Sequence, residues 1–120
     1  MSATTITMRR YGSGDLQKIA NQLWKDLPDM AELIGIRSHG APGNQAILLS
    51  CEKFFFRNGS YASLNVMLTE FDGVQTADIV GSGGGEGLFN ISLFANSDFA
   101  ESARSALEAK GFSVTEENEE

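Results

Sequence analysis

A stripe of apolar residues at helical spacing is the strongest pattern along this chain. Within GSGDLQKIANQLWKDLPD, apolar side chains recur every three or four positions. The stripe consists of Leu16, Ile19, Ala20, Leu23, Trp24 and Leu27. This spacing predicts an amphipathic helix over about 13–27. Ser13 or Asp15 can cap its start, and Pro28 disfavours helical backbone at the residue before it.

The segments on either side of this helix have weaker patterns. ATTITMRRY, residues 3–11, is rich in β-branched residues and predicts a first strand. After the helix, residues 30–34 favour one more helical turn. The following SHGAPGN, residues 38–44, contains the Gly, Pro and Asn that are typical of an irregular loop, so a loop is predicted there.

Three strand-like runs come next, and short turns separate them. Asn58-Gly59 divides AILLSCEKFFFR from SYASLNVMLTEF, and Asp72-Gly73 divides the second run from VQTADIVG. Both dipeptides favour a two-residue type I′ turn, because both central positions of that turn need a positive φ. Two-residue turns set the register, so Cys51 is expected opposite Val66, and Val66 opposite Ile79.

Both registers direct the same alternate residues to one face, which should carry the helices. That core face consists of Leu49, Cys51, Phe55, Ala62, Leu64, Val66, Leu68, Ala77 and Ile79. The other face also carries apolar side chains, namely Leu48, Phe54, Phe56, Tyr61, Met67, Phe71, Val74 and Val80. A sheet face in water normally shows polar residues at such positions, so we expect something to cover this second face.

The C-terminal part of the chain has glycine-rich, strand-like and helical patterns in turn. GSGGGEG, residues 81–87, predicts a flexible hairpin connection, and LFNISLF after it predicts a fourth strand. The alternating residues of that strand are Phe89, Ile91 and Leu93. Residues 97–110 predict a second helix, which Ser97 or Asp98 caps and which Gly111 ends in a left-handed conformation.

Together these elements predict an α+β fold. The expected architecture is a two-layer sandwich, in which an antiparallel meander of about four to five strands carries two helices on one face. Residues 1–115 are expected to form a single α+β domain. The sequence EENEE gives residues 116–120 the character of an acidic disordered tail.

Charge and composition narrow the classes of function. The formal net charge of −7 argues against a nucleic-acid partner, because phosphate binding needs clustered Lys and Arg. No apolar run approaches the ~18 residues of a membrane span, and the N-terminus lacks the long apolar stretch of a signal peptide. Cys51 is the only cysteine, which excludes an intramolecular disulfide and fits a reducing compartment. A cytoplasmic protein without a membrane partner is therefore expected.

The residue types that carry catalysis do not form a recognisable constellation. Cys51 and His39 are the only thiol and imidazole, and the register puts Cys51 in the core. One Cys and one His do not provide the ligand spacing of a zinc site. GSGGGEG lacks the lysine and the following helix of a phosphate-binding loop. We therefore expect no enzyme activity and no cofactor.

Lys53 is unusual because the predicted register puts it on the core face. Its ammonium group can extend past the ends of the covering helices. Alternatively, a bulge at Glu52-Lys53 exchanges the faces of the residues that follow. A ligand-binding lysine is a third interpretation.

One segment is similar to a known group of sequences. GGGEGLFNISLFANSDFAESARSAL, residues 83–107, resembles a family of short bacterial proteins of unknown function. Members of that family have a Gly-rich run, GLFNI-like residues and a terminal helix. The resemblance implies a bacterial, cytoplasmic protein with an α+β fold, and it supplies no catalytic residues.

The apolar second face favours a non-catalytic protein-interaction module. The simplest partner is a second copy, because twofold dimers are the commonest closed assembly and aromatic residues and Met are enriched at interface cores. The interaction surface of this homodimer would consist of Phe54, Phe56, Tyr61, Met67 and Val80.

The alternative function is the binding of a small ligand. Its pocket would lie near the loop Gly81–Gly87 or between the sheet and the first helix, with Lys53 and Tyr61 as polar contacts. The ligand loop would consist of Gly83, Gly84, Gly85 and Glu86.

Overall fold

The described residues form one antiparallel sheet of six strands and two helices. The computed structural model describes residues 3–12, 14–28, 31–55, 59–83 and 91–119. In chain order the elements are β1 (Ala3–Tyr11), α1 (Leu16–Asp26), β2 (Glu32–Ala41), β3 (Asn44–Phe55), β4 (Ser60–Phe71), β5 (Val74–Gly83), α2 (Ile91–Glu108) and β6 (Ser113–Glu119). The strand order is β2-β3-β4-β5-β1-β6, with antiparallel neighbours throughout. The predicted α+β class is confirmed, with six strands in place of four to five.

Helix α1 forms where the apolar stripe predicts it. Asp15 is the N-cap, and its carboxylate accepts a hydrogen bond from the backbone N–H of Lys18 over 3.2 Å. At the other end, the N–H of Leu27 donates to the carbonyl of Trp24, and Pro28 follows. The buried residues of the helix are Leu16, Ile19, Ala20 and Leu23.

Helix α2 begins earlier than predicted, at Ile91. Ile91 and Leu93 therefore belong to a helix and not to a fourth strand, while Phe89 lies outside the described residues. Alternation over five positions is too short to distinguish a strand from part of a helix. The predicted end is confirmed, because Gly111 has a φ of +94° and the N–H of Phe112 donates to the carbonyl of Leu107 over 3.1 Å.

The hairpin between β4 and β5 has the predicted register. Val66 lies opposite Ile79, and Phe71 lies opposite Val74. The turn between the strands is Asp72-Gly73, where φ is +53° at Asp72 and +77° at Gly73. Two positive φ angles are what a type I′ turn requires.

The predicted register of β3 against β4 is wrong by two residues. Phe55 lies opposite Ser60, and not opposite Ala62 as a two-residue turn at Asn58-Gly59 requires, and Asn58 itself lies outside the described residues. As a result, Cys51 pairs with Leu64 instead of Val66. A shift of two residues leaves every side chain on its predicted face, because side chains along a strand alternate with a period of two.

Strand β2 occupies the segment that was predicted to be a helical turn and a loop. It pairs with β3 from Glu32 to Ala41, and Pro42-Gly43 forms the turn between them. The strand lies at the edge of the sheet and is exposed at most positions on both faces. Its sequence therefore lacks the apolar alternation by which strands are recognised.

Strand β6 replaces most of the predicted acidic tail. Residues 113–119 pair with β1, which places β1 between β5 and β6 and interrupts the simple meander order. Arg104 of α2 lies 3.7 Å from Glu117 of β6 and 3.2 Å from Glu101 of its own helix. The acidic residues whose composition predicted a solvated tail therefore belong to a paired edge strand.

Both helices pack on one face of the sheet. Alternate residues of β1, β3, β4 and β5 are buried there together with α1 and α2 in one hydrophobic core. Its most enclosed large side chains include Met8, Leu23, Leu49, Leu64, Ile79, Phe99 and Leu107. The core positions predicted on β3, β4 and β5 are buried, apart from Phe55, whose side chain lies outside the described part.

Candidate interaction surface

The described helices leave the second face of the sheet uncovered, and we call it the open face. Side chains on this face come from the positions between the core residues of each strand. Six large apolar residues on it each expose between 38% and 74% of their surface. They are Tyr11, Leu48, Tyr61, Met67, Phe71 and Val80.

These apolar side chains form three groups along the direction of the strands. Phe54 and Tyr61 are paired at one end, with ring centroids 4.9 Å apart in an edge-to-face arrangement. Leu48, Met67 and Val80 occupy the middle of the face, where Leu48 and Met67 are direct cross-strand partners. The third group, at the opposite end, consists of Tyr11, Val74 and Phe71.

Polar side chains fill the spaces between the three groups, and several bond to one another within the face. Three short hydrogen bonds cross neighbouring strands. They join Ser50 to Asn65 at 2.6 Å, Ser63 to Ser82 at 2.6 Å and Thr7 to Asp78 at 2.8 Å. A polar group that already has a partner costs less to cover than an unpaired one, so these pairs do not oppose the docking of another surface.

The residue types that β4 contributes to the open face follow nearly the same order from either end of the strand toward its middle. Aromatic residues stand at its two ends, Tyr61 and Phe71, and hydroxyl residues stand next inward, Ser63 and Thr69. The two positions nearest the middle are occupied by Asn65 and Met67. Val66, on the core face, lies at the centre of this arrangement.

The structure brings most of the predicted interaction residues to one surface. Phe54 is half-buried on the open face beside Tyr61, and Met67 and Val80 lie further along it. Phe56 lies outside the described residues. Tyr11 was not among the predicted interaction residues, although the alternation along β1, extended to its last residue, places the exposed ring of Tyr11 on this face.

The predicted ligand contacts do not come together. Lys53 pairs with Ala62 and is half-buried on the helix side, whereas Tyr61 is on the open face, so the two cannot line one pocket. Gly83 is the last residue of β5. The rest of the predicted loop, Gly84, Gly85 and Glu86, lies outside the described residues.

Cys51 and His39 do not form a catalytic pair. Cys51 is buried on the core face, where desolvation raises the pKa of its thiol to about 11 and suppresses the reactive thiolate. His39 is exposed on β2 opposite Ala46. Both residues belong to the open face, whereas Cys51 belongs to the core face. Within the described ranges, no group of three or more His, Cys, Asp or Glu side chains is placed to hold a metal ion.

A cleft on the helix side contains basic residues that the sequence analysis missed. It has a volume of about 280 Å³ and is lined by Arg10 from β1, by Lys18, Ile19 and Gln22 from α1, and by Lys110 after α2. Lys110 donates to the Asp26 carboxylate, and this bond together with one from Gln22 lowers the pKa of Asp26. Lys110 lies 100 residues after Arg10 in the chain, so no local motif could reveal that it joins Arg10 and Lys18.

The fold and this surface define an α+β protein with one uncovered sheet face and no catalytic constellation among its described residues. The chain matches Family of unknown function (DUF6054) over residues 6–111, and it belongs to that family. A search of curated proteins and a search of solved structures each found no match. Neither described helix has the length and apolar character that crossing a bilayer requires.

Proposed function

We propose that this protein is a non-catalytic interaction module that forms a homodimer through its open face. The observation that carries the proposal is the two-way pattern of β4. In a twofold interface, residue i of one protomer contacts residue j of its partner, and j contacts i. The proposed twofold axis passes above Val66, lies in the plane between the two sheets and runs perpendicular to the strands. It brings Phe71 of each protomer against Tyr61 of the other, and Thr69 against Ser63.

The size of the open face supports this assembly. Six strands about 4.8 Å apart, each about ten residues long at about 3.4 Å per residue, outline roughly 800 Å². A stable interface of standard size buries about 800 Å² on each partner. Sheets that pack face to face keep their strands within about 30° of alignment, which allows the contacts near the axis to form.

The chemical character of the face supports it as well. Aromatic residues and Met provide most of its exposed apolar surface, and these residue types are enriched in interface cores. Six of the polar residues between them are already paired within each protomer, namely Ser50 with Asn65, Ser63 with Ser82 and Thr7 with Asp78. Docking over Met67, Tyr61 and Phe71 therefore covers these six groups without breaking their hydrogen bonds.

The test is the oligomeric state of a charge variant at the centre of the face. Light scattering coupled to size exclusion should show a dimer for the unmodified protein at micromolar concentration. Met67→Lys places two like charges close to the twofold axis, so self-association should weaken by at least about tenfold. Circular dichroism should show an intact fold, because 43% of the surface of Met67 is already exposed.

Ile34→Lys is the matched control. Ile34 is an exposed apolar residue, but it lies at a bulge in the edge strand β2, two strands away from the proposed axis on β4. This variant should remain dimeric. A protein that is monomeric at high micromolar concentration would refute the proposal. So would a dimer that Ile34→Lys dissociates and Met67→Lys does not, because that dimer would form through the β2 edge.

The proposal includes the absence of catalysis and a cytoplasmic, bacterial setting. A single buried cysteine with a raised pKa supports a structural role for the only thiol. The resemblance of residues 83–107 to short bacterial proteins supports the setting.

A further inference from the structure

The residues that line the basic cleft have a positive net charge, whereas the chain as a whole has a negative one. The whole chain has nine basic residues and a net charge of −7. Three of those nine line this one cleft, and none of its five described lining residues is acidic. Asp26, which bonds to Lys110 and Gln22, offsets one of the three positive charges, and the remaining excess of positive charge attracts anions. The cleft is on the helix side of the sheet, so it is separate from the proposed dimer interface.

Two of the three cations are held in place by the backbone. The guanidinium of Arg10 donates from Nη1 to the carbonyl of Lys110 over 3.2 Å. It also lies so close to Gly14 that a Cβ there would be 2.6 Å from Arg10 Nη2. Lys110 Nζ donates to the carbonyl of Ala106 over 3.1 Å, and its side chain is only 14% exposed. Groups that are already ordered lose less entropy when a ligand binds.

We propose that this cleft binds a small anion with a phosphate or carboxylate group and a short apolar part. Arginine and lysine are the side chains that recognise such groups. The accessible walls are mainly apolar, provided by Ile19 and by the methylene stems of the long side chains. A volume of about 280 Å³ lies just below the ~300 Å³ at which drug-sized ligand pockets begin, which favours a single small metabolite over a nucleotide.

Asp26 sets the affinity in this arrangement. Its carboxylate accepts hydrogen bonds from Lys110 and from Gln22, so it competes with a bound anion for Lys110. Removing this negative charge should strengthen anion binding. The same cations also lie near the C-terminal end of α2, where positive charge stabilises a helix, and the experiment must separate that structural role from ligand binding.

The experiment is a titration of the full chain with phenyl phosphate and with inorganic phosphate, followed by amide chemical shifts at constant ionic strength. We expect shifts at Ile19 and Gln22, with phenyl phosphate binding more tightly. Lys18→Gln should weaken binding about fivefold, since two unit charges about 4 Å apart in water interact by about 1 kcal/mol. Asp26→Asn should tighten it by a similar factor.

Lys25→Gln is the matched control, because it removes the same charge from the same helix outside the cleft. It should bind phenyl phosphate like the unmodified protein, and so should Met67→Lys, whether or not the dimer exists. Equal effects of Lys18→Gln and Lys25→Gln would overturn the proposal, because binding would then reflect overall charge. Shifts confined to residues outside the cleft would overturn it too.

Discussion

The carboxylate of Glu70 on β4 holds the turn between β2 and β3, because its Oε1 accepts a hydrogen bond from the backbone N–H of Gly43 over 2.7 Å. The side-chain amides of Gln45 and Gln75 donate to the same carboxylate over 3.0 Å and 2.8 Å. All three side chains are buried. The bond from Gly43 is the largest of the causes that lower the pKa of Glu70, ahead of those from the two glutamines.

Glu70→Gln should therefore destabilise the fold markedly. An amide has one acceptor oxygen where the carboxylate has two, so one of the donors from Gly43, Gln45 and Gln75 would lose its partner. We expect a loss of about 2–3 kcal/mol in the free energy of unfolding, measured by urea denaturation. Glu32→Gln, at an exposed position on β2, removes the same charge and should cost little. Equal costs for both variants would show that the buried network contributes nothing.

Stability should also fall in acid through Glu70. Its pKa is lower in the folded protein than the ~4.3 of an ordinary glutamate, so the unfolded chain binds the proton more readily. The contribution is complete above the unfolded pKa and is lost as the pH falls from about 5 toward the lower folded pKa. Urea denaturation at a series of pH values should show a smaller acid loss for Glu70→Gln than for the unmodified protein. Parallel curves would contradict this assignment.

Two glycines at the β2–β3 turn should differ in their tolerance of alanine. Gly40 and Gly43 have nearly the same φ, +93° and +92°. A Cβ at Gly40 would lie 2.2 Å from the backbone oxygen of Asn44, whereas one at Gly43 meets nothing within 4 Å. Gly43→Ala should cost about 1–2 kcal/mol from the left-handed backbone alone. Gly40→Ala should cost clearly more, because backbone must also move, and equal melting temperatures would contradict the close approach.

Ending the chain after Phe112 should destabilise it, because β1 then loses its partner β6. A loss of about 1 kcal/mol or more corresponds to a melting temperature at least about 3 °C lower for a chain of this size. Replacing Glu116 and Glu117 by Gln keeps the strand and should have a smaller effect. If truncation left the melting temperature unchanged, residues 113–119 would behave as the tail that their composition suggests.

Sequence reasoning succeeded where one local signal determined the structure. The apolar stripe, the Asp15 cap and the Gly111 termination each depend on a few neighbouring residues, and all three are observed. The turn at Asp72-Gly73 is similar, because its positive φ angles limit the residue types. The described residues of β3, β4 and β5 lie on their predicted faces, since the error of two residues in the β3 register preserves the alternation.

Two of the errors, the missed strands β2 and β6, have a common physical origin in the edges of the sheet. β2 and β6 are bonded on one side only and are largely exposed, so their composition is that of loops and tails. They form strands because their backbones hydrogen-bond to β3 and to β1. This pairing cannot be recognised from a single sequence. The cleft was missed for a related reason, because Lys110 joins Arg10 and Lys18 only in the folded chain.

The position of β1 has a consequence during synthesis on the ribosome. β1 is translated before every other described element, yet its neighbours are β5 and β6. At about 5–20 residues per second, translation of residues 12–83 takes roughly 4–14 s. For that time Ile6 and Met8 have no sheet partner, and Thr4 can pair with Glu119 only after β6 has also been synthesised. The nascent chain thus exposes an unpaired apolar β-segment that chaperones have time to bind.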